Sequence, residues 1–116
     1  MLASEPDHPI LPAGFAVDID HVDGEQALIL VSGEMDLYAA PFVEERVAEA
    51  RAAGARQVML DLSAVTFMDS SGLGVLVNQL KEFRALGGDL TLRAPSPQTR
   101  KVLEITGLDR TIPIVP

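Results

Sequence analysis

The chain has 116 residues and no cysteine. That absence rules out a disulfide framework and a thiol nucleophile, and it suits a reducing compartment. Histidine is nearly absent too. Only His8 and His21 occur, one near the N-terminus and the other beside a turn signal. A Ser-His-Asp hydrolase needs a histidine near its serine, and the G-x-S-x-G elbow is also missing. His, Asp and Glu show no metal-ligand spacing, so no metal site is expected. Bases are scarce: Lys and Arg number 9 against 17 Asp and Glu, for a net charge of −8 and a pI near 4.5. This balance argues against sequence-independent nucleic-acid binding and against an anionic membrane surface. A protein partner with a basic patch is the natural complement. No apolar run approaches the roughly 20 residues that span a bilayer. Met1-Leu2-Ala3-Ser4-Glu5 carries neither a basic n-region nor an h-region, so no signal peptide is expected and a cytoplasmic location is the default.

What is present is a 47% hydrophobic chain, enough for one domain with a real core. Residues 1–13, with Pro6, Pro9 and Pro12, read as a flexible tail, and 14–116 as the domain. Phe15, Val17 and Ile19 alternate with polar or small residues, as in a half-exposed strand. Asp23-Gly24 signals a type I′ hairpin turn. The continuous run Ala27–Val31 reads as a strand buried on both faces. Asp36 is a candidate N-cap for a helix over residues 38–53, which places Pro41 in the first turn. Val58, Met59, Leu60 and Leu62 make a third strand, and Leu90, Leu92 and Ala94 a fourth. Between them a helix follows Ser71 and ends near Leu86, with Leu73, Leu76, Val77, Leu80 and Phe83 on its inner stripe. Ser96-Pro97 opens a third helix with Val102, Leu103 and Ile105 inward and Gly107 as its stop. Ile112 and Ile114 suggest a last strand, held to an edge by Pro113. The order β-β-α-β-α-β-α-β implies an α/β domain. Its mixed sheet is mostly parallel, with an antiparallel N-terminal hairpin, and packs against helices.

The most informative segment is Val65–Asn78. An apolar stretch runs into Asp69-Ser70-Ser71-Gly72, and the amphipathic helix begins at once. Ser and Asp are favoured at such a start because their oxygens accept from unpaired N–H groups. The same groups and the helix dipole favour a phosphate. The serines are therefore a cap, a phosphorylation site, or both. Gly72-Leu73-Gly74 does not make a Walker loop, for no lysine follows, and the third glycine of a dinucleotide fingerprint is replaced by Val77. The plainer reading is that Gly72 and Gly74 let the helix start pack closely on the sheet. Asp36, Asp61 and Asp69 offer carboxylates for acid/base work, but a general acidic surface accounts for most of them.

Phe67-Met68-Asp69-Ser70-Ser71-Gly72-Leu73-Gly74-Val75-Leu76 closely resembles the phosphorylation segment of the anti-sigma-factor antagonists, single-domain proteins of the STAS fold. Gly33-Glu34-Met35-Asp36 resembles that family's Gly-Glu-(apolar)-Asp element, and Gly87-Gly88-Asp89-Leu90 and Thr106-Gly107-Leu108 follow in order. The resemblance covers residues 15–114. It implies a protein-binding switch and no enzymatic activity. The unmodified antagonist binds an anti-sigma factor that is also a serine kinase, which frees the sigma factor. The kinase uses its own Mg-ATP to phosphorylate the serine that maps onto Ser70, the antagonist lets go, and a metal-dependent serine phosphatase resets it. The antagonist itself needs no cofactor, nucleic acid or membrane insertion, and is a monomer or weak dimer. Asp36 maps onto an acidic residue beside the phosphoacceptor, and Ser71 onto the neighbour that is usually not the acceptor. The resemblance thus implies a partner surface of Asp36, Asp69, Ser70, Ser71, Gly72 and Leu73.

Two departures stand out. Pro41 follows the Asp36 element closely, and the N-terminal segment is longer than the domain needs. Tyr38, the only tyrosine, reads either as an exposed interface anchor or, more plainly, as a half-buried helix residue. Other functional classes remain open: a structural STAS subunit of a signalling scaffold or transporter complex without a phospho-switch, and a nucleotide or small-ligand module using the helix start. No base near Ser70 in sequence favours the latter.

Overall fold

The structure is a computed structural model and describes residues 10–116. The expected tail therefore lies mostly outside the described residues. Its last part includes Ile10, which is exposed, and Pro12, whose carbonyl accepts from the Phe15 N–H.

The elements follow the anticipated order. They are β1 (Ala16–Asp23), β2 (Gln26–Met35), α1 (Ala40–Ala52), β3 (Gln57–Met68), α2 (Ser70–Ala85), β4 (Asp89–Arg93) and α3 (Pro97–Thr106). A 3-10 turn (Leu108–Arg110) and β5 (Ile114–Val115) complete the chain. The sheet runs β1-β2-β3-β4-β5, with β1 antiparallel to β2 and all later pairs parallel.

Sequential strand order decides the layering. Parallel crossovers are right-handed, so three that step in one direction put α1, α2 and α3 on the same face. Ala27, Ile29 and Val31 of β2, Val58, Leu60 and Leu62 of β3, and Leu90 and Leu92 of β4 point into that face and are buried. The opposite set does not get covered. Leu28 and Met59 are half-buried, and Leu30 is 38% exposed. The apolar run Ala27–Val31 is thus buried on one face only. Burial on both faces needs helices on both, and a sheet wound in one direction has none on its second side.

Local chemistry explains most element ends. Positive φ at the β1–β2 turn is confined to Gly24 (64°), with Asp23 paired to Gln26. That is the type II′ pattern, with glycine first, and not the type I′ expected from the sequence. Pro41 sits in the first turn of α1, as expected. Ser96 caps α3 through the Thr99 N–H (3.4 Å), and Gly107 ends it at φ 78°. Ala94 falls outside β4 and takes φ 51°. Ile105 is 75% exposed and does not join the inner side of α3, which is carried by Leu103 and Thr99. Ile112 is buried but precedes β5, which is only two residues long. The core stripe of α2 comprises Val75, Leu76, Leu80 and Phe83, with Leu73 and Val77 half-buried. A partly buried polar link joins the first two helices. Arg51 Nη1 donates to Gln79 Oε1 at 2.7 Å, and its guanidinium lies 5.5 Å from the Phe83 ring centroid. Gln79 falls on the inner side of α2, and nothing in its local sequence pattern announces that pairing.

Candidate functional site

The two motifs far apart in sequence meet because β2 and β3 are neighbours in parallel. Met35 and Met68, their last residues, are register partners. Asp36 and Asp69 therefore leave the same end of the sheet. The Asp69 N–H donates to the Met35 carbonyl at 3.3 Å, tying the start of α2 to the end of β2.

Asp69 is the N-cap of α2. Its backbone is extended (φ −104°, ψ −170°), and Oδ1 accepts from the Ser71 N–H (2.8 Å) and the Gly72 N–H (3.3 Å). Its carbonyl accepts from the Leu73 N–H at 3.1 Å. Ser70, the first helical residue, is exposed, and its hydroxyl makes no hydrogen bond to any described residue. The cap is thus the aspartate, and the serine is left for other use. Ser71 and Leu73 are half-buried.

Gly72 is required by space. A Cβ there would lie 2.6 Å from the Met35 carbonyl oxygen and 2.8 Å from Met68 Cγ. Gly74 is different, for a Cβ at that position meets nothing within 4 Å. The packing role expected of both glycines belongs to Gly72 alone, since two residues rotate about 200° around the helix and carry Gly74 to the side away from the strand end.

Asp36 does not cap α1. The N-cap is Ala39, without a side-chain bond. Asp36 Oδ1 instead accepts from the Tyr38 N–H and the Ala39 N–H, both at 3.0 Å, and its carbonyl accepts from Ala39 and Ala40. It closes a turn that comes just before the helix. This turn pushes Leu37 and Tyr38 outward, at 63% and 73% exposure. Tyr38 is therefore neither helical nor half-buried. With Phe67, also exposed on the last part of β3, these residues put apolar surface at the same end of the sheet as Ser70.

Asp61 belongs elsewhere. It lies lower on β3, on the sheet face without helices, where Oδ2 meets Arg93 Nε and Nη2 at 2.7 Å. Its Oδ1 accepts from the Ser63 N–H (2.9 Å) and hydroxyl (2.6 Å). Burial works against ionisation, but these bonds and the Arg93 charge outweigh it and hold the carboxyl below its ordinary range. The three candidate carboxylates are each engaged with different partners. Among the described residues no cluster of three His, Cys, Asp or Glu is placed to hold a metal ion. No helix among them is long and apolar enough to cross a membrane.

The fold is thus an open-faced, singly wound sheet that carries an exposed serine beside an aspartate-capped helix start at the edge of its helical layer. Residues 16–116 match the STAS domain family, and the chain belongs to it. The anti-sigma-B factor antagonist of Listeria monocytogenes is 38% identical over 97 residues, covering 84% of this chain and 81% of the relative. An anti-sigma factor antagonist from Mycobacterium paratuberculosis superposes with a TM-score of 0.79 at 30% identity, covering 92% and 91% of the two chains. The antagonist SpoIIAA in its unphosphorylated form gives 0.75 at 28% identity, with 85% and 87% covered. SpoIIAA of Bacillus is also similar in its phosphorylated form, at a TM-score of 0.68, 28% identity, and 85% and 90% coverage.

Proposed function

We propose that this chain is an anti-sigma-factor antagonist switched by phosphorylation of Ser70. The unmodified form binds an anti-sigma factor with serine kinase activity through Asp36, Asp69, Ser70, Ser71, Gly72 and Leu73, together with Leu37 and Tyr38. The observation that carries the reading is the division of labour at the helix start. Asp69 does the capping, so the Ser70 hydroxyl is exposed at a helix N-terminus with no structural duty. The relatives' names and the two SpoIIAA forms support the same reading.

The physics of the switch follows from the site. A phosphate on Ser70 adds about −1.5 to −2 charges at pH 7. The helix dipole favours an anion there. The Ser71 and Gly72 N–H groups, however, are already held by the Asp69 carboxylate. The phosphate therefore stays outward, next to one like charge and near a second, and changes the surface field more than the fold. In an interface built on unmodified Ser70 it is an unpaired, desolvated charge. A hundredfold loss of affinity, about 2.7 kcal/mol, is expected. A metal-dependent serine phosphatase completes the cycle. Mg-ATP belongs to the kinase.

The test is a pull-down from the native lysate with unmodified, Ser70→Ala and Ser70→Asp baits. Recovery of an ATPase-type anti-sigma kinase on Ala and its loss on Asp supports the switch. Identical partners on all three baits overturn it and leave a structural STAS role.

A further inference from the structure

A groove of about 440 Å³ lies between the second half of α2 and the 3-10 turn, away from the Ser70 end of that helix. Its walls are Val77, Leu80 and Ala85 on one side and Leu108 on the other. The stripe at 77, 80, 81, 84 and 85 follows helical spacing, so one face of α2 is offered along two turns. The size falls within the roughly 300–1,000 Å³ typical of small-molecule sites.

The charge of the lining is unusual for this chain. Asp and Glu outnumber Lys and Arg by 17 to 9, yet the groove is lined by Lys81 and Arg84 and by no acid. By contrast, the groove on the open sheet face is lined by Asp18 and Asp61. Arg84 is committed: Nε meets Asp89 Oδ1 at 3.2 Å, and Nη2 donates to the Thr111 carbonyl at 2.9 Å. Those bonds pin the chain after the 3-10 turn to the end of α2 and so hold the second wall. Lys81 forms no ion pair or hydrogen bond with any described residue. Lys81 is exposed where it lines this mostly apolar trough, and no acid among the described residues pairs with it.

We infer that this groove binds a single-chain anionic amphiphile, a medium-length carboxylate. The alkyl chain lies along Val77, Leu80, Ala85 and Leu108, and the carboxylate pairs with Lys81. The assignment does not rest on the Ser70 switch, since the two sites occupy different parts of α2.

The test is an amide NMR titration of the whole chain with sodium decanoate below its micelle concentration, with decanol and decyltrimethylammonium as head-group controls. Saturable shifts confined to residues 77–85 and 108–111 are expected. Decanoate should bind about fivefold more tightly than either control, the scale of one partly exposed ion pair. Lys81→Gln removes that preference, and Ala85→Phe, at an exposed position, fills the trough and abolishes binding. Shifts centred elsewhere, no saturation, or equal affinity for all three head groups overturns the assignment. So does an unchanged decanoate affinity in Lys81→Gln, which tests the charge even if Ala85→Phe perturbs the fold. Concentration-dependent shifts of the same residues without ligand give the groove to a second copy. Saturation by an acidic amphipathic peptide but not by decanoate gives it to a protein partner. Either result also overturns the proposal.

Discussion

Gly72→Ala and Gly74→Ala are the same chemical change two residues apart in one helix, and the structure gives them opposite signs. Alanine is preferred over glycine in a helix by roughly 0.5–1 kcal/mol, mostly through the unfolded chain. At Gly74 nothing lies within 4 Å of the added methyl, so Gly74→Ala should gain that full amount. At Gly72 the methyl lies 2.6 Å from the Met35 carbonyl oxygen and 2.8 Å from Met68 Cγ. The methionine side chain can swing away, but the carbonyl cannot. It is backbone at the end of β2, and it accepts the Asp69 N–H at 3.3 Å. Relief requires the start of α2 to lift from the strand, which strains or breaks that bond. Overpacking of this kind costs about 1–3 kcal/mol. Less the helix gain, Gly72→Ala should destabilise by up to about 2.5 kcal/mol, and since both variants share that gain, the gap from its neighbour is the overpacking cost of about 1–3 kcal/mol. Urea melts read the gap directly, with unchanged m-values showing that the unfolded states are comparable. Equal stability of the two variants would falsify the close-approach account. Because the lift happens at the paired strand ends that Asp36 and Asp69 follow, Gly72→Ala should also weaken anti-sigma-factor binding, and Gly74→Ala should not.

Three further outcomes are expected. Asp69→Ala should lose about 1 kcal/mol as a helix cap, and Ser70→Ala should lose less than about 0.5 kcal/mol; the reverse order in thermal melts would return the cap to the serine. Tyr38→Ala should leave stability within about 0.5 kcal/mol, because the side chain is exposed, while costing about 1 kcal/mol or more in partner affinity by calorimetry. Asp61→Asn should cost about 1–2 kcal/mol at pH 7 by removing a charge that holds Arg93. Because the native pKa is lowered, that contribution is fully present above the ordinary carboxylate value of about 4 and is lost as pH falls through the native value. The difference between wild type and variant in urea melts should thus shrink in acid. A difference that stays constant refutes the ion pair as its source.

Pattern and local chemistry alone determined a good deal of this protein. Alternation marked Phe15, Val17 and Ile19 as strand, a 3.6-residue stripe marked Leu73 to Phe83 as helix, and Ser96-Pro97 and Gly107 bounded α3. These signals act within a few residues of one another, so no partner is needed to read them. The segment Asp69-Ser70-Ser71-Gly72 was legible as a site for the same reason, and its resemblance to a known family named the fold. The tertiary structure decided the rest. Strand order put all three helices on one face, which left Met59 partly open, and Leu28 and Leu30 too, although the run Ala27–Val31 reads as buried on both faces. Backbone geometry gave the cap to Asp69 and not to Ser70, and made Asp36 the clasp of a turn that turns Tyr38 outward. The pairing of Met35 with Met68 brought Asp36 and Ser70 to one end of the sheet across more than thirty residues. The approach of that strand end is what separates Gly72 from Gly74. Each of these depends on which distant backbone lies alongside, and a sequence period carries no record of its neighbours.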